Sequence, residues 1–73
     1  MSRWQLLALV ARYPHPRALA RRANGGSLFV GLRQLEAGGL VRRHGGLYRL
    51  TRRGDSELAL TRALARLVAR MSR

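Results

Sequence analysis

The sequence contains no cysteine and no lysine, and acidic residues are scarce. Without cysteine, neither a disulfide bond nor a thiolate metal site can form. The three acids are Glu36, Asp55 and Glu57, and neither histidine, His15 or His44, has an acidic partner at a spacing suited to catalysis or metal binding. No glycine-rich phosphate loop of the P-loop or Rossmann type is present. We therefore expect no enzymatic activity, no catalytic residue, no metal site and no cofactor.

Long apolar segments are also missing. No run approaches the ~20 apolar residues that a helix needs to cross a bilayer, and no small-residue cleavage site follows the apolar residues near the start of the chain. We therefore expect a cytoplasmic protein, associated with the nucleoid if its partner is DNA. With 73 residues the chain is predicted to form one domain, 1–73, and a core this small is marginally stable, which favours self-association.

What the chain has in abundance is arginine. All 15 positively charged residues are arginine, and the formal net charge is +12. The planar guanidinium fork suits phosphate groups and guanine edges. Hydrophobic residues make up 47% of the chain, which is enough for a core and argues against disorder. This balance predicts a polyanionic partner: double-stranded DNA first, RNA second, and an anionic membrane surface last.

Residues 26–50 predict a helix that runs directly into a small hairpin. Three leucines have the i, i+4, i+7 spacing of one helix face: Leu28, Leu32 and Leu35. Gly38-Gly39 ends this helix, since glycine readily adopts the left-handed conformation of a helix C-terminus. Short strands are predicted at 40–43 and 47–50, joined by a tight turn at 44–46 where glycine permits positive φ. An arginine-rich hairpin after a helix is typical of a winged helix, in which the helix enters a DNA groove and the hairpin, the wing, reaches the flanking backbone.

Two shorter helices are predicted upstream, at 4–13 and 16–23, because one proline ends the first and another suits the start of the second. A turn at 24–26 and a hydroxyl cap from Ser27 then lead into the third helix. A helix, a short turn and a second helix form a helix-turn-helix, whose later helix reads DNA. Gly31 in that helix indicates either a close approach to a DNA backbone or tight packing against a neighbouring helix.

A last helix is predicted after the cap Thr51, so that a helix-turn-helix and wing at 1–54 precede a dimerisation helix at 55–73. One face of this helix has the 4-3-4 spacing of a coiled-coil seam: Leu60, Leu64, Leu67 and Met71. Trp4 and Leu7 form a second apolar stripe on the first helix, which a small monomer could not bury. We therefore predict a dimer through these six residues, although the short seam could instead cover the domain's own core. The fold class is mainly α with a small β-hairpin wing: a winged helix-turn-helix of about four helices, with the C-terminal helix in the dimer.

The predicted DNA contacts lie on the second helix, on the third helix and in the wing. They are Arg17, Arg21, Arg22, Ser27, Val30, Arg33, Gln34, Arg42, Arg43, His44 and Arg49. Within the wing, alternation places Tyr48 and Leu50 on the inward face, which leaves the arginines near solvent. On the third helix, Arg33 suits guanine and Gln34 suits adenine, while the other arginines suit phosphates.

Two segments resemble the PadR family of transcriptional regulators. Residues 26–41 begin Gly-Ser-Leu-Phe and continue with Leu, Leu-Glu and Gly-Leu-Val, which is similar to the family's Gly-Thr-Leu-Tyr … Leu … Leu-Glu … Gly-Leu segment. Residues 48–58 match its Tyr-x-Leu-Thr-x-x-Gly-x-x-x-Leu segment. Parts of both segments also occur in MarR-like winged helices. The resemblance implies a dimeric repressor whose last helix helps to form the dimer.

Some PadR members respond to phenolic acids or drugs bound near the dimer interface. The last helix of this chain has no aromatic residue to stack on a planar drug, so the sequence does not support a small-molecule effector.

Three functions compete. The first is a sequence-specific DNA-binding transcriptional regulator, acting as a dimeric repressor. The second is a sequence-tolerant basic protein that compacts DNA or binds RNA, because phosphate neutralisation carries no sequence information. The third is a winged helix that binds other proteins in a larger assembly, which would not need this charge.

Overall fold

The computed structural model describes residues 2–23 and 25–72 of the chain. The elements follow in the order α1 (Arg3–Arg12), α2 (Pro16–Arg22), α3 (Gly25–Ala37), β1 (Val41–His44), β2 (Leu47–Leu50) and α4 (Arg52–Met71). The strands form one antiparallel hairpin. The predicted fold class is confirmed: the described chain is mainly α, with four helices and a hairpin after the third. Three helices, a hairpin and a fourth helix in this order are consistent with a winged helix.

Side chains cap the helices at their starts. Ser2 and Gln5 form a reciprocal capping box at α1, with each backbone amide donating to the other's side-chain oxygen. His15, for which the sequence suggested no role, caps α2 by accepting a hydrogen bond at Nδ1 from the amide of Arg17, 3.3 Å away. The predicted cap at Thr51 is confirmed, since its Oγ1 accepts from the amide of Gly54 at 3.1 Å.

The predicted start of α3 was wrong. The helix begins at Gly25, so Ser27 lies in its first turn instead of capping it, and Gly25 and Gly26 are helical instead of forming a turn. The first turn of the helix thus holds a glycine pair despite the low helix propensity of glycine. Asn24, the first residue of the predicted turn, lies outside the described residues. Helix α4 begins at Arg52, directly after the predicted cap Thr51.

A single apolar cluster joins all the elements. Its members are Leu6, Leu7, Val10, Leu19, Leu28, Leu32, Leu35, Leu40, Val41, Tyr48 and Leu58. Helix α1 packs against α3, α4 and β2, so it lies at the centre of the arrangement. Helix α4 adds only Leu58 to this cluster. Residues 59–71 add no member to this cluster.

Helix α3 connects to the wing through a glycine-dependent C-terminus. The amide of Leu40 donates to the carbonyl of Leu35 at 2.9 Å, the amide of Gly39 donates to that of Glu36 at 3.0 Å, and Gly39 has φ of 75°. This is the Schellman arrangement, which needs a left-handed residue where Gly39 stands. It reverses the chain directly from the helix into β1.

The wing is a hairpin with a two-residue turn. His44 pairs with Leu47, and the intervening Gly45 and Gly46 have φ of 57° and 78°. Two successive positive φ values are those of a type I′ turn, whose twist matches that of the flanking strands. Tyr48 is buried and Leu50 half-buried, which confirms the predicted inward pair.

Three hydrogen bonds fix the base of the wing. The amide of Tyr48 donates to the carbonyl of Pro14 at 2.9 Å, which ties β2 to the α1–α2 connection. The amide of Thr51 donates to the carbonyl of Leu40 at 3.0 Å, and the Thr51 hydroxyl donates to the carbonyl of Gly39 at 2.6 Å. The hairpin is therefore held at a set angle to the helices.

Gly31 is explained by packing. A Cβ at this position would lie 2.7 Å from Cδ2 of Leu6, so glycine allows α3 to approach α1 closely. Of the two predicted reasons for this glycine, tight packing against a neighbouring helix is the one that the structure supports.

Candidate nucleic-acid interface

The outward face of α3 is the surface opposite the buried leucines. Leu28, Leu32 and Leu35 hold the helix to the core, which turns Val30 and Arg33 directly into solvent. Phe29 lies beside them and is 52% exposed, although the sequence analysis assigned it no contact. Its position four residues before Arg33 was the signal that could have placed it on this face.

Ser27 and Gln34 lie on the flank of α3 and not at the centre of its outward face. Both are exposed, and both line a groove of about 550 Å³ between α3 and the start of α1, where Ser2 and Arg3 form the opposite wall. The predicted DNA contacts on α3 are therefore divided into two groups. Val30 and Arg33 are central, while the two uncharged polar side chains stand at one edge.

The wing presents positive charge to solvent on its outer face. Arg42 and Arg49 are paired directly across the two strands, so their side chains leave the same face of the hairpin. Like charges placed opposite each other repel, and neither strand contains an acid to offset them. An anion bound between the two guanidinium groups would remove this repulsion. Arg43 is exposed as well, with its guanidinium 5.6 Å from the centre of the Tyr48 ring, and His44 is exposed at the tip.

The arginines of α2 divide into two groups. Arg17 and Arg21 are exposed without a described partner contact of their side chains. Arg22 is exposed but lies over the Tyr13 ring, with its guanidinium 4.6 Å from the ring centre, in cation–π geometry. Arg12 of α1 approaches the same ring at 5.6 Å.

A second basic surface was not predicted. Arg12, Arg22 and Arg62 surround a shallow depression of about 790 Å³ over α1, floored by small residues such as Ala8. None of the described residues that line it belongs to α3 or the wing. The adjacent Arg12 and Tyr13 were visible in the sequence, but the approach of α2 and α4 to them depends on packing.

Acidic residues do not neutralise these surfaces. Among the described residues, the ion pair that the structure contains joins Arg3 to Glu57, at 2.8 Å on the surface between α1 and α4. None of the predicted DNA contacts takes part in it. Within residues 2–23 and 25–72, no three histidine, cysteine, aspartate or glutamate side chains converge as metal ligands would.

The C-terminal helix presents an apolar stripe to solvent. Leu60, Leu64, Leu67 and Met71 are all exposed, from 53% for Leu67 to 78% for Met71. Leu58, which contacts the core, lies on a different side of the helix, so this stripe does not cover the domain's own core. Trp4 is exposed too, and it forms a groove of about 660 Å³ with Leu64 and Val68.

One predicted interface residue is wrong. Leu7 is 0% exposed and lies among the core leucines, because α1 packs against α3, α4 and β2 of the same chain, whereas Trp4 of the same stripe stays exposed. Val68, which the heptad spacing omitted, is 61% exposed beside the stripe and extends the apolar surface toward Trp4. The exposed apolar surface of α4 points to an interface.

None of the helices in the described part of the chain combines the length and the apolarity that a membrane crossing requires. Searches for similar proteins returned no matching family model, no matching curated protein and no matching solved structure. The likeness to a winged helix therefore rests on the order of the elements, three helices, a β-hairpin and a fourth helix.

Proposed function

We propose that this protein is a sequence-specific DNA-binding transcriptional regulator that acts as a dimer. The outward face of α3 enters the major groove, and the arginine-rich wing contacts the flanking phosphates. The similarity of residues 26–41 and 48–58 to PadR regulators supports repression as the direction of control. No catalysis is part of this proposal.

The observation that carries the proposal is the pairing of Arg42 with Arg49 on the outer face of the wing. Two arginines placed opposite each other without an acid are repulsive in the free protein and favourable beside a phosphate. The wing is joined rigidly to the end of α3 through Gly39 and Thr51, so a phosphate at the wing fixes the position of α3. Phosphate contacts that set the orientation of a reading helix are the usual division of labour in DNA recognition.

The exposed apolar stripe of α4 supports the same function. The α4 stripe gives each chain an unpartnered apolar surface that a second copy can cover in a self-complementary, twofold manner. A twofold dimer places two copies of α3 in successive major grooves when they are about 34–36 Å apart. An inverted-repeat operator is the expected target.

A second candidate function is sequence-tolerant DNA compaction or RNA binding. The depression bounded by Arg12, Arg22 and Arg62 favours it, because this basic surface lies apart from α3 and the wing and could contact a second polyanion. Selection of bound duplexes from a random DNA pool, with RNA as competitor, separates the candidates. A defined inverted repeat supports the regulator, whereas unselective enrichment supports compaction.

The affinity for DNA is expected to fall steeply with salt. Each phosphate neutralised contributes about −0.9 to the slope of log K against log salt concentration, so a dimer that neutralises six phosphates loses about 10³ in affinity between 50 and 200 mM salt. Fluorescence anisotropy titrations across this range measure the slope. An affinity that barely changes with salt would contradict nucleic-acid binding of either kind.

The arginines of α3 and the wing are expected to differ in role. Arg33→Ala should cost about 1–3 kcal/mol at one base position and relax the preference there. Arg42→Ala should weaken all duplexes alike, because it removes a phosphate contact. Arg70→Ala on α4 is the matched control, since it removes the same charge at a position away from the proposed DNA-binding surface. If Arg33→Ala lowers the affinity for the specific duplex and for random duplexes by the same factor, then Arg33 contacts phosphate and not a base.

A further inference from the structure

The outward face of α3 exposes two large apolar side chains, although the chain as a whole is strongly basic. Phe29 is 52% exposed and Val30 is 59% exposed. Arg33 follows them by four and three positions, so the three side chains are neighbours on one helix surface. Two large apolar groups therefore stand beside a single guanidinium at the place where the proposed function puts base edges.

The fold does not account for this apolar pair. The buried face of α3 is formed by Leu28, Leu32 and Leu35, and neither Phe29 nor Val30 belongs to the core cluster or to the residues packed against it. Ser27 and Gln34, the uncharged polar groups that could read bases, lie three positions before and four positions after Val30, on its side away from Arg33. The exposed face of α3 thus combines two large apolar side chains and one positive charge with a polar edge.

A DNA duplex offers one apolar group in its major groove, the C5 methyl of thymine. We propose that Phe29 and Val30 recognise thymine methyl groups, while Arg33 binds a neighbouring guanine or phosphate. The proposal rests on the proposed function, because it concerns the same face of α3. The charge near this pair fits a duplex better than an apolar protein partner, since Arg33 stands beside the pair and α3 leads directly into a wing with exposed arginines.

The size of the effect follows from the area of a methyl group. Removing one buried methyl(ene) from a contact changes the free energy by about 0.8 kcal/mol, which corresponds to about a fourfold change in affinity. Phe29 also lacks a hydroxyl, so at this position it can contribute by apolar contact and not by donating a hydrogen bond.

Replacement of thymine by deoxyuridine tests the proposal. Deoxyuridine keeps the Watson–Crick edge and the O4 acceptor and removes only the methyl group. Each thymine of the selected duplex is replaced singly, and alternating dA-dT and dA-dU copolymer duplexes are compared in parallel. We expect about a fourfold weaker affinity at each contacted thymine, and a weaker affinity for the dA-dU duplex. The copolymers supply a result even if selection yields no defined site.

Two variants assign the effect to these side chains. In Phe29→Ala and Val30→Ala, the ratio of the affinities for thymine and deoxyuridine duplexes should fall toward one. The slope of log affinity against log salt concentration should stay unchanged. Arg49→Ala on the wing is the control, and it should weaken both duplexes while preserving the difference. Far-UV circular dichroism and a thermal melt verify that the variants fold, as expected for exposed positions.

The outcomes separate the two proposals. Equal affinity for thymine and deoxyuridine duplexes, or a difference that survives in both alanine variants, would overturn methyl recognition and leave sequence-specific binding intact. A higher affinity for dA-dT than for dA-dU duplexes, without a defined site selected from the random pool, would uphold methyl recognition and refute the sequence-specific regulator. Unchanged DNA binding in both variants would also overturn the proposal and indicate a protein partner for this face.

Discussion

The Gly54→Ala variant is expected to lose most of the stability of the protein. Gly54 is buried in the first turn of α4, and a Cβ there would fall on the carbonyl oxygen of Leu40. That oxygen belongs to the backbone and accepts a hydrogen bond from the amide of Thr51, so it cannot rotate away. The start of α4 would have to move off the junction between α3 and β1, which would also break the hydrogen bonds from Thr51 to the carbonyls of Leu40 and Gly39.

The expected loss of stability in Gly54→Ala is large relative to the total free energy of unfolding. A chain of 73 residues has roughly 4–11 kcal/mol of stability, and a backbone clash of this kind costs about 4 kcal/mol or more. Urea unfolding followed by far-UV circular dichroism measures the loss. A Gly54→Ala variant as stable as the wild type would show that α4 does not approach Leu40 as closely as described.

Two other glycines provide matched controls within helices. A Cβ at Gly26 meets no neighbouring atom within 4 Å, so Gly26→Ala should be neutral or stabilising by up to about 1 kcal/mol. At Gly31 a Cβ would displace the end of the Leu6 side chain, which can shift, so Gly31→Ala should cost about 1–3 kcal/mol. The expected order of stability is therefore Gly26→Ala, then Gly31→Ala, then Gly54→Ala.

The Leu67→Asp variant is expected to be a folded monomer with weak DNA binding. Leu67 is exposed in the middle of the α4 stripe and makes no contribution to the core. If a second chain covers the stripe, each large apolar side chain buried there contributes about 1.5–3 kcal/mol, and an unpaired carboxylate at its centre is costly. Loss of the second subunit should reduce affinity for an inverted repeat by about 10²–10⁴-fold.

Ala69→Asp is the control for Leu67→Asp. Ala69 is exposed on the same helix, two residues away and therefore on the other side from the stripe. Both substitutions lower the net charge by one, so they change the electrostatic attraction to DNA equally. Analytical ultracentrifugation and operator titrations of both variants and the wild type give the result. A wild type that sediments as a monomer at micromolar concentration and still binds one site tightly would contradict the dimer.

Local sequence signals predicted the elements of this fold well. Proline and glycine marked the ends of helices, and the leucines of α3 marked its buried face. The cap at Thr51 and the inward position of Tyr48 also followed from short-range chemistry. These features depend on backbone preferences within a few residues, so they can be derived without knowing the tertiary structure.

The predictions that failed depend on packing between distant segments. Leu7 was assigned to an interface because α1 is apolar on two sides, and periodicity alone cannot show that packing within the same chain buries Leu7 while Trp4 stays exposed. The predicted cap at Ser27, by contrast, failed for a local reason, because the glycines before it suggested a turn and are instead helical. The basic surface around Arg12 and Arg62 requires three helices to meet, and no spacing in the sequence encodes that meeting.

The hydrogen bond from Tyr48 to Pro14 has a consequence for local unfolding. His44 and Leu47 close the turn as a hydrogen-bonded pair, so the next pair, Arg43 and Tyr48, leaves the Tyr48 amide pointing away from β1 toward Pro14. Opening the wing at Tyr48 requires breaking this bond and withdrawing the ring from the core. The exposed tip can fray by itself, whereas the base opens only together with the core. The wing thus combines an adaptable tip with a base whose amide protection approaches that of global unfolding.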